Sequence, residues 1–69
     1  MKIVVLGGGE SGVGAAYLAK KKGLNVFLSD KGAIKSEYKN QLIEAEIEFE
    51  EGKHDEARIL EADWIIKSP

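Results

Sequence analysis

Lys2-Ile3-Val4-Val5-Leu6-Gly7-Gly8-Gly9-Glu10-Ser11-Gly12 is the stretch that decides the fold. Ile3 to Leu6 is an unbroken, mostly β-branched apolar run that ends at a glycine cluster. Continuous rather than alternating hydrophobicity predicts a strand buried on both faces, as in a parallel sheet. Behind the glycines, Val13 to Lys22 predicts a helix. Ala15, Ala16, Leu18 and Ala19 favour it, Lys20-Lys21-Lys22 suits its negative C-terminal end, and Gly23 is placed to cap it.

Gly7, Gly9 and Gly12 keep the G-x-G-x-x-G spacing between that strand and that helix. In this context the spacing points to a phosphate. Gly7 turns the chain sharply after the strand. Gly9, without a Cβ, lets a phosphate approach the backbone. Gly12 lets the helix pack close to the sheet. The helix start offers free N–H groups and a positive dipole end, to which Ser11 adds a hydroxyl. The bland alternative is a tight strand-to-helix turn and no ligand. Glu10 argues slightly for it, because a carboxylate repels a pyrophosphate; its side chain is expected to face solvent.

Working outward, Asn25 to Ser29 predicts a second strand ending at Asp30, and Lys31 to Ser36 a loop. Ser36 is expected to cap a helix over Tyr38 to Ala45. Ile47 to Glu50 alternates like an edge strand with one wet face. Gly52-Lys53-His54 is a turn, Glu56 to Ala62 a short helix, and Asp63 to Lys67 a fourth strand. The order β-α-β-α-β-α-β predicts a Rossmann-like α/β fold with a parallel sheet, right-handed crossovers and strand order 3-2-1-4.

The 69 residues carry 10 Lys plus Arg against 12 Asp plus Glu, a net charge of −2 with no basic stripe, which argues against nucleic acid. No apolar run is long enough to span a membrane, no secretory signal is present, and the setting is expected to be cytoplasmic. The absence of cysteine excludes disulfides and thiol chemistry. With 43% hydrophobic and 32% charged residues the composition is globular. A core this small is marginal. The apolar run Trp64-Ile65-Ile66 breaks off at Lys67-Ser68-Pro69, so the chain reads as a fragment whose open surfaces favour self-association.

Asp30, 18 residues after Gly12, ends the second strand on the side of the glycine loop and is expected to face a nucleoside; the alternative is a turn cap. Lys31 is a solvated charge or a partner for a 2′-phosphate. Ser68 ends the fourth strand at the same edge, within reach of a nucleotide or as a plain turn. His54 is expected at the surface, and Trp64 to pack rather than stack on a base. Glu44, Glu46, Glu48, Glu50 and Glu51 read as a solvated face rather than a metal cluster. No nucleophile–base pair and no metal-ligand spacing is present.

Lys2 to Gly12, then Val26-Phe-Leu-Ser-Asp30, then Ala62-Asp-Trp-Ile-Ile-Lys-Ser-Pro69 resemble the amino-terminal domain of the Mur ligases over essentially the whole chain. In the D-glutamate-adding branch of that family a glycine loop with Ser or Thr before its last Gly, an Asp ending strand two, and A-D-x-[IV]-[IV]-x-S-P-G recur in this order. The Ser-Pro ending favours the branch that adds D-glutamate. The resemblance implies a domain holding the uridine diphosphate part of UDP-N-acetylmuramoyl-L-alanine for peptidoglycan synthesis. The N–H groups of Glu10 and Ser11 would meet the pyrophosphate. Asp30 would accept from the uracil N3–H, the Lys31 backbone would donate to a uracil carbonyl, and Ser68 would close the uracil side. ATP, magnesium and D-glutamate would act through domains outside these residues, so this chain would be inactive alone. Glu10 stands where the family often has an apolar residue, and the chain stops before the family's next Gly and its fifth strand. The main rival is an NAD(P)- or FAD-binding domain of an oxidoreductase, with Asp30 on ribose hydroxyls. A further rival is a regulatory nucleotide-binding module.

Overall fold

The computed structural model describes residues 1–68; Pro69 lies outside the described residues. The strands are β1 (Lys2–Leu6), β2 (Asn25–Asp30), β3 (Glu48–Glu51) and β4 (Trp64–Lys67), and the helices α1 (Glu10–Lys21), α2 (Ser36–Glu44) and α3 (Glu56–Leu60). All three strand pairings are parallel, in the order β3-β2-β1-β4. The fold expected from the sequence is therefore the one observed, with β3 at an edge.

The apolar run of β1 is buried as the unbroken hydrophobicity requires. Ile3, Val4 and Val5 are at most 2% exposed. Strand alternation sends them to two faces. Ile3 and Val5 join Val26, Leu28, Val13, Ala16, Ile34 and Leu42 in one core, which places α1 and α2 on that face. Val4 pairs with Phe27 in register, outside that core. There the Arg58 guanidinium of α3 lies 3.7 Å from the centre of the Phe27 ring. α3 thus covers the opposite face. The chain steps from β1 outward to β3 through α1 and α2, then crosses back to β4 through α3. Its direction reverses at β1, and in open α/β sheets the crevice beside such a reversal is where ligands bind.

Several local expectations are corrected. α1 begins at Glu10, not Val13, so Glu10, Ser11 and Gly12 form its first turn. Its end is as expected: Gly23, at φ +82°, donates to Lys20 O, and Leu24 N donates to Ala19 O, a Schellman cap. Ser36 is not a cap but the first residue of α2. Lys35, extended at ψ 144°, precedes it, and no side chain caps that helix. α2 closes with the same Schellman pattern, Glu46 N to Ile43 O and Ile47 N to Leu42 O, although Glu46 must then take φ +57°. α3 stops at Leu60, before Ala62, and starts on an unanticipated cap, the Asp55 side chain, which accepts from Arg58 N. Trp64 opens β4 but stays 65% exposed. It lines an apolar groove with Ile3, Leu18 and Leu24.

Candidate nucleotide crevice

The crevice is built where the carboxyl ends of β1, β2 and β4 meet. Gly7 leaves β1 at φ +114°, a conformation L side chains rarely adopt, and its N–H donates to Ser29 O at 2.8 Å. Gly12 is glycine for a different reason. A Cβ there would stand 1.9 Å from Gly7 O, so the first turn of α1 rests directly on the loop backbone. Gly9 has neither constraint. It is extended, with φ −83° and ψ −169°, and a Cβ on it would meet nothing within 4 Å.

Gly9 is the N-cap of α1, and the first helical bond runs from Val13 N to Gly9 O at 2.9 Å. Helix geometry therefore leaves the N–H groups of Glu10, Ser11 and Gly12 without an intrahelical acceptor. They sit beside an open glycine at the positive end of a 12-residue helix. Glu10 is exposed at this end.

Asp30 closes β2 and is tied to the loop through both carboxylate oxygens. Oδ2 accepts from Gly8 N at 2.7 Å, and Oδ1 accepts from Gly32 N at 2.8 Å. A carboxylate offers about four acceptor positions, so these bonds orient the group and leave lone pairs for a ligand. Lys31 beside it is exposed. Ser68 reaches the site from β4: its N donates to Leu6 O at 2.8 Å, and its Oγ is 2.6 Å from Ser11 Oγ. Gly7, Gly9, Glu10, Ser11, Gly12, Asp30, Lys31 and Ser68 are thus gathered at one end of the sheet.

Three parts of this construction were not anticipated. The spacing gives Gly8 no role, yet a Cβ on it would come within 2.8 Å of Ile34 Cγ1. His54 is exposed as expected but not idle, since its Nδ1 is 2.6 Å from the hydroxyl of fully buried Ser29. The acidic run is only partly a solvated face. Glu50 accepts from Ser29 Oγ at 2.8 Å and from Asp55 N at 2.7 Å, while Glu51 accepts from Ile34 N at 2.8 Å and from Lys39 Nζ at 3.0 Å. The Ile34 amide, followed by Lys39, holds the Glu51 carboxyl below the usual carboxylate range. Among the described residues no three His, Asp or Glu side chains converge as a metal site.

A parallel sheet with a glycine loop, a strand-ending acid and a facing hydroxyl at its reversal point defines a Rossmann-like α/β domain. Within that class, the family described as the MurD N-terminal domain matches residues 2–69, and this chain belongs to it. Proteins named UDP-N-acetylmuramoylalanine–D-glutamate ligase are similar throughout. The one from Christiangramia forsetii is 62% identical over 68 residues, covering 99% of this chain and 15% of the relative. The one from Porphyromonas gingivalis strain W83 is 64% identical over 67 residues, covering 97% and 15%. That of Bacteroides fragilis strain YCH46 is 57% identical over 68 residues, covering 99% and 15%. The chain spans about 15% of the length of these curated relatives.

Proposed function

We propose that this domain holds the uridine diphosphate part of UDP-N-acetylmuramoyl-L-alanine. The protein it serves would be a cytoplasmic, ATP-dependent ligase that adds D-glutamate in peptidoglycan synthesis. One observation carries the binding role: Gly9 is a glycine with no internal reason to be one. Its dihedral angles suit any residue, and a side chain would enter empty space. What a side chain there would obstruct is approach to the unbonded N–H groups of the first turn of α1.

In this reading the Glu10 and Ser11 N–H groups receive the pyrophosphate. Asp30, held rigid by Gly8 and Gly32, accepts from the uracil N3–H, and the Lys31 N–H donates to a uracil carbonyl. Ser68, whose hydroxyl meets Ser11, closes the uracil side of the crevice. The domain positions a substrate and performs no bond-making. ATP would convert the muramoyl-alanine carboxylate to an acyl phosphate, and the amine of D-glutamate would displace phosphate. ATP, its magnesium and D-glutamate would be held outside this chain. No G-x-x-G-K-[ST] loop occurs in the 69 residues. The chain alone should therefore release no phosphate from ATP.

Chemical-shift titration of the ¹⁵N-labelled chain tests the binding role. UDP should shift the amides of Gly9 to Gly12, Asp30 and Lys31, uridine should bind more weakly, and added salt should narrow the difference. N3-methyl-UDP should lose roughly ten- to a hundredfold, the scale of a charge-assisted hydrogen bond, and 2′-deoxy-UDP much less. Saturable shifts with NADH and none with UDP would transfer the site to the oxidoreductase reading.

A further inference from the structure

Glu51 ends β3, two strands away from the glycine loop in the sheet. Its carboxylate nevertheless ties the loop after β2, which bears on the crevice, to α2. Oε1 accepts from Ile34 N at 2.8 Å, and Oε2 accepts from Lys39 Nζ of α2 at 3.0 Å. The next residue repeats the attachment, Gly52 N donating to Gly32 O at 3.0 Å. The 31–35 loop is thereby bonded to the end of β3 at both Gly32 and Ile34.

Ile34 carries the consequence to the crevice. It is 4% exposed and stands against Gly8 so closely that a Cβ on Gly8 would be 2.8 Å from its Cγ1. Gly8 has no side chain of its own to fix it. Its place is set by what abuts it, the Asp30 carboxylate on one atom and the Ile34 side chain on another. We propose that Glu51 is a positioning residue of the nucleotide crevice. By anchoring Ile34 it presses the 31–35 loop on Gly8, and so holds Asp30 and the glycine loop in the geometry that receives the ligand. The use of that geometry rests on the UDP reading above; the mechanical link does not.

The test compares Glu51→Ala, Glu51→Gln and Lys39→Ala in the 69-residue chain. Hydrogen exchange of the Gly8 to Ser11 amides is measured without ligand, and then UDP and uridine are titrated. Glu51→Ala should speed exchange at Gly8 and Gly9 and weaken UDP by roughly three- to thirtyfold, the usual range for a residue acting through others. Uridine, lacking the phosphates, should weaken less. Glu51→Gln keeps an oxygen for Ile34 N and should restore most of the affinity. Lys39→Ala leaves that carboxylate oxygen in place and should resemble wild type. Glu51→Ala that lowers the melting temperature while leaving those amides and the UDP-to-uridine ratio unchanged would show a merely structural role and overturn the proposal. Wild-type chain that ignores UDP defeats the UDP reading instead, and the ligand-free exchange still decides the mechanical link.

Discussion

Replacing Gly9 by Val and Gly12 by Ala tests whether Gly9 serves a ligand while Gly12 serves the fold. At Gly12 the added Cβ stands 1.9 Å from Gly7 O, whereas a tolerable C···O contact is about 3.3 Å. Both partners are backbone, so the first turn of α1 would have to lift off the loop by more than about 1 Å. Overpacking of this kind costs about 3 kcal/mol, a large part of the stability expected for so short a chain. In a domain of this size that is a melting point lower by roughly 12–24 °C.

At Gly9 the opposing terms are small. The dihedral angles are open to Val, and the Cβ meets nothing within 4 Å. Losing a tolerated N-cap glycine costs a few tenths of a kcal/mol or more, while stiffening the unfolded chain returns about 0.4–1 kcal/mol. The net should stay within about 0.5 kcal/mol of wild type. UDP affinity, by contrast, should fall at least about tenfold, because the branched side chain covers the N–H groups of the first turn. Thermal melting by circular dichroism and UDP titration by NMR read the two effects separately. Gly9→Val that melts as early as Gly12→Ala, or that binds UDP like wild type, would show that Gly9 serves the fold or serves no phosphate.

Other outcomes follow from single contacts. Glu46→Gly should raise stability by about 1 kcal/mol, seen as a higher melting point, because the Schellman closure of α2 forces this non-glycine residue to φ +57°. Asp30→Ala should cost about 2–4 kcal/mol in denaturant unfolding, since the Gly8 and Gly32 N–H groups both lose their acceptor and Gly8 is buried. Glu51 ionises more readily in the folded chain than in the unfolded one. The stability it adds is therefore fully present above the ordinary glutamate pKa and is lost as the pH falls through its lower folded value. Unfolding curves taken from neutral to acid pH should show a shallower acid limb in Glu51→Gln.

The fold was legible because two periodicities are clean. The unbroken run of β1 and the alternation around Phe49 each admit one sheet position, and the helices between them leave a parallel arrangement as the economical one. The ends of elements were less legible. Gly12 inside the first turn of α1 and Ser36 inside α2 were misplaced because a helix start depends on which carbonyl the first free N–H meets, and that is a tertiary fact. That the glycine loop, Asp30 and Ser68 meet at one end of the sheet follows from the spacing and the strand ends. What holds them does not. Gly8, Ile34 and Glu51 meet only after β3 has come alongside β2, and nothing local in the sequence announces that meeting. Likewise, the carboxylates of Glu50 and Glu51 looked solvated because charge runs usually are, while the turns after β2 and β3 supply N–H groups for both to bind.

The contrast among the helix starts sharpens the case for a ligand at α1. α3 is five residues long and still has a side-chain cap, Asp55. α1 is the longest helix and has none, although Ser or Asp at position 9 would fit the same dihedral angles and add roughly a few tenths of a kcal/mol. α2 also lacks a side-chain cap, so a missing cap alone is not diagnostic. The difference lies in the setting. In the loop and the first turn of α1, Gly7, Gly8 and Gly12 all have neighbours that forbid a side chain or a dihedral angle that disfavours one, whereas Gly9 has neither; Gly14, further along the helix, is equally open. A capping side chain at that position would satisfy an N–H group from within. Its absence leaves those donors open at the mouth of the crevice, beside an Asp30 already oriented by the loop it faces.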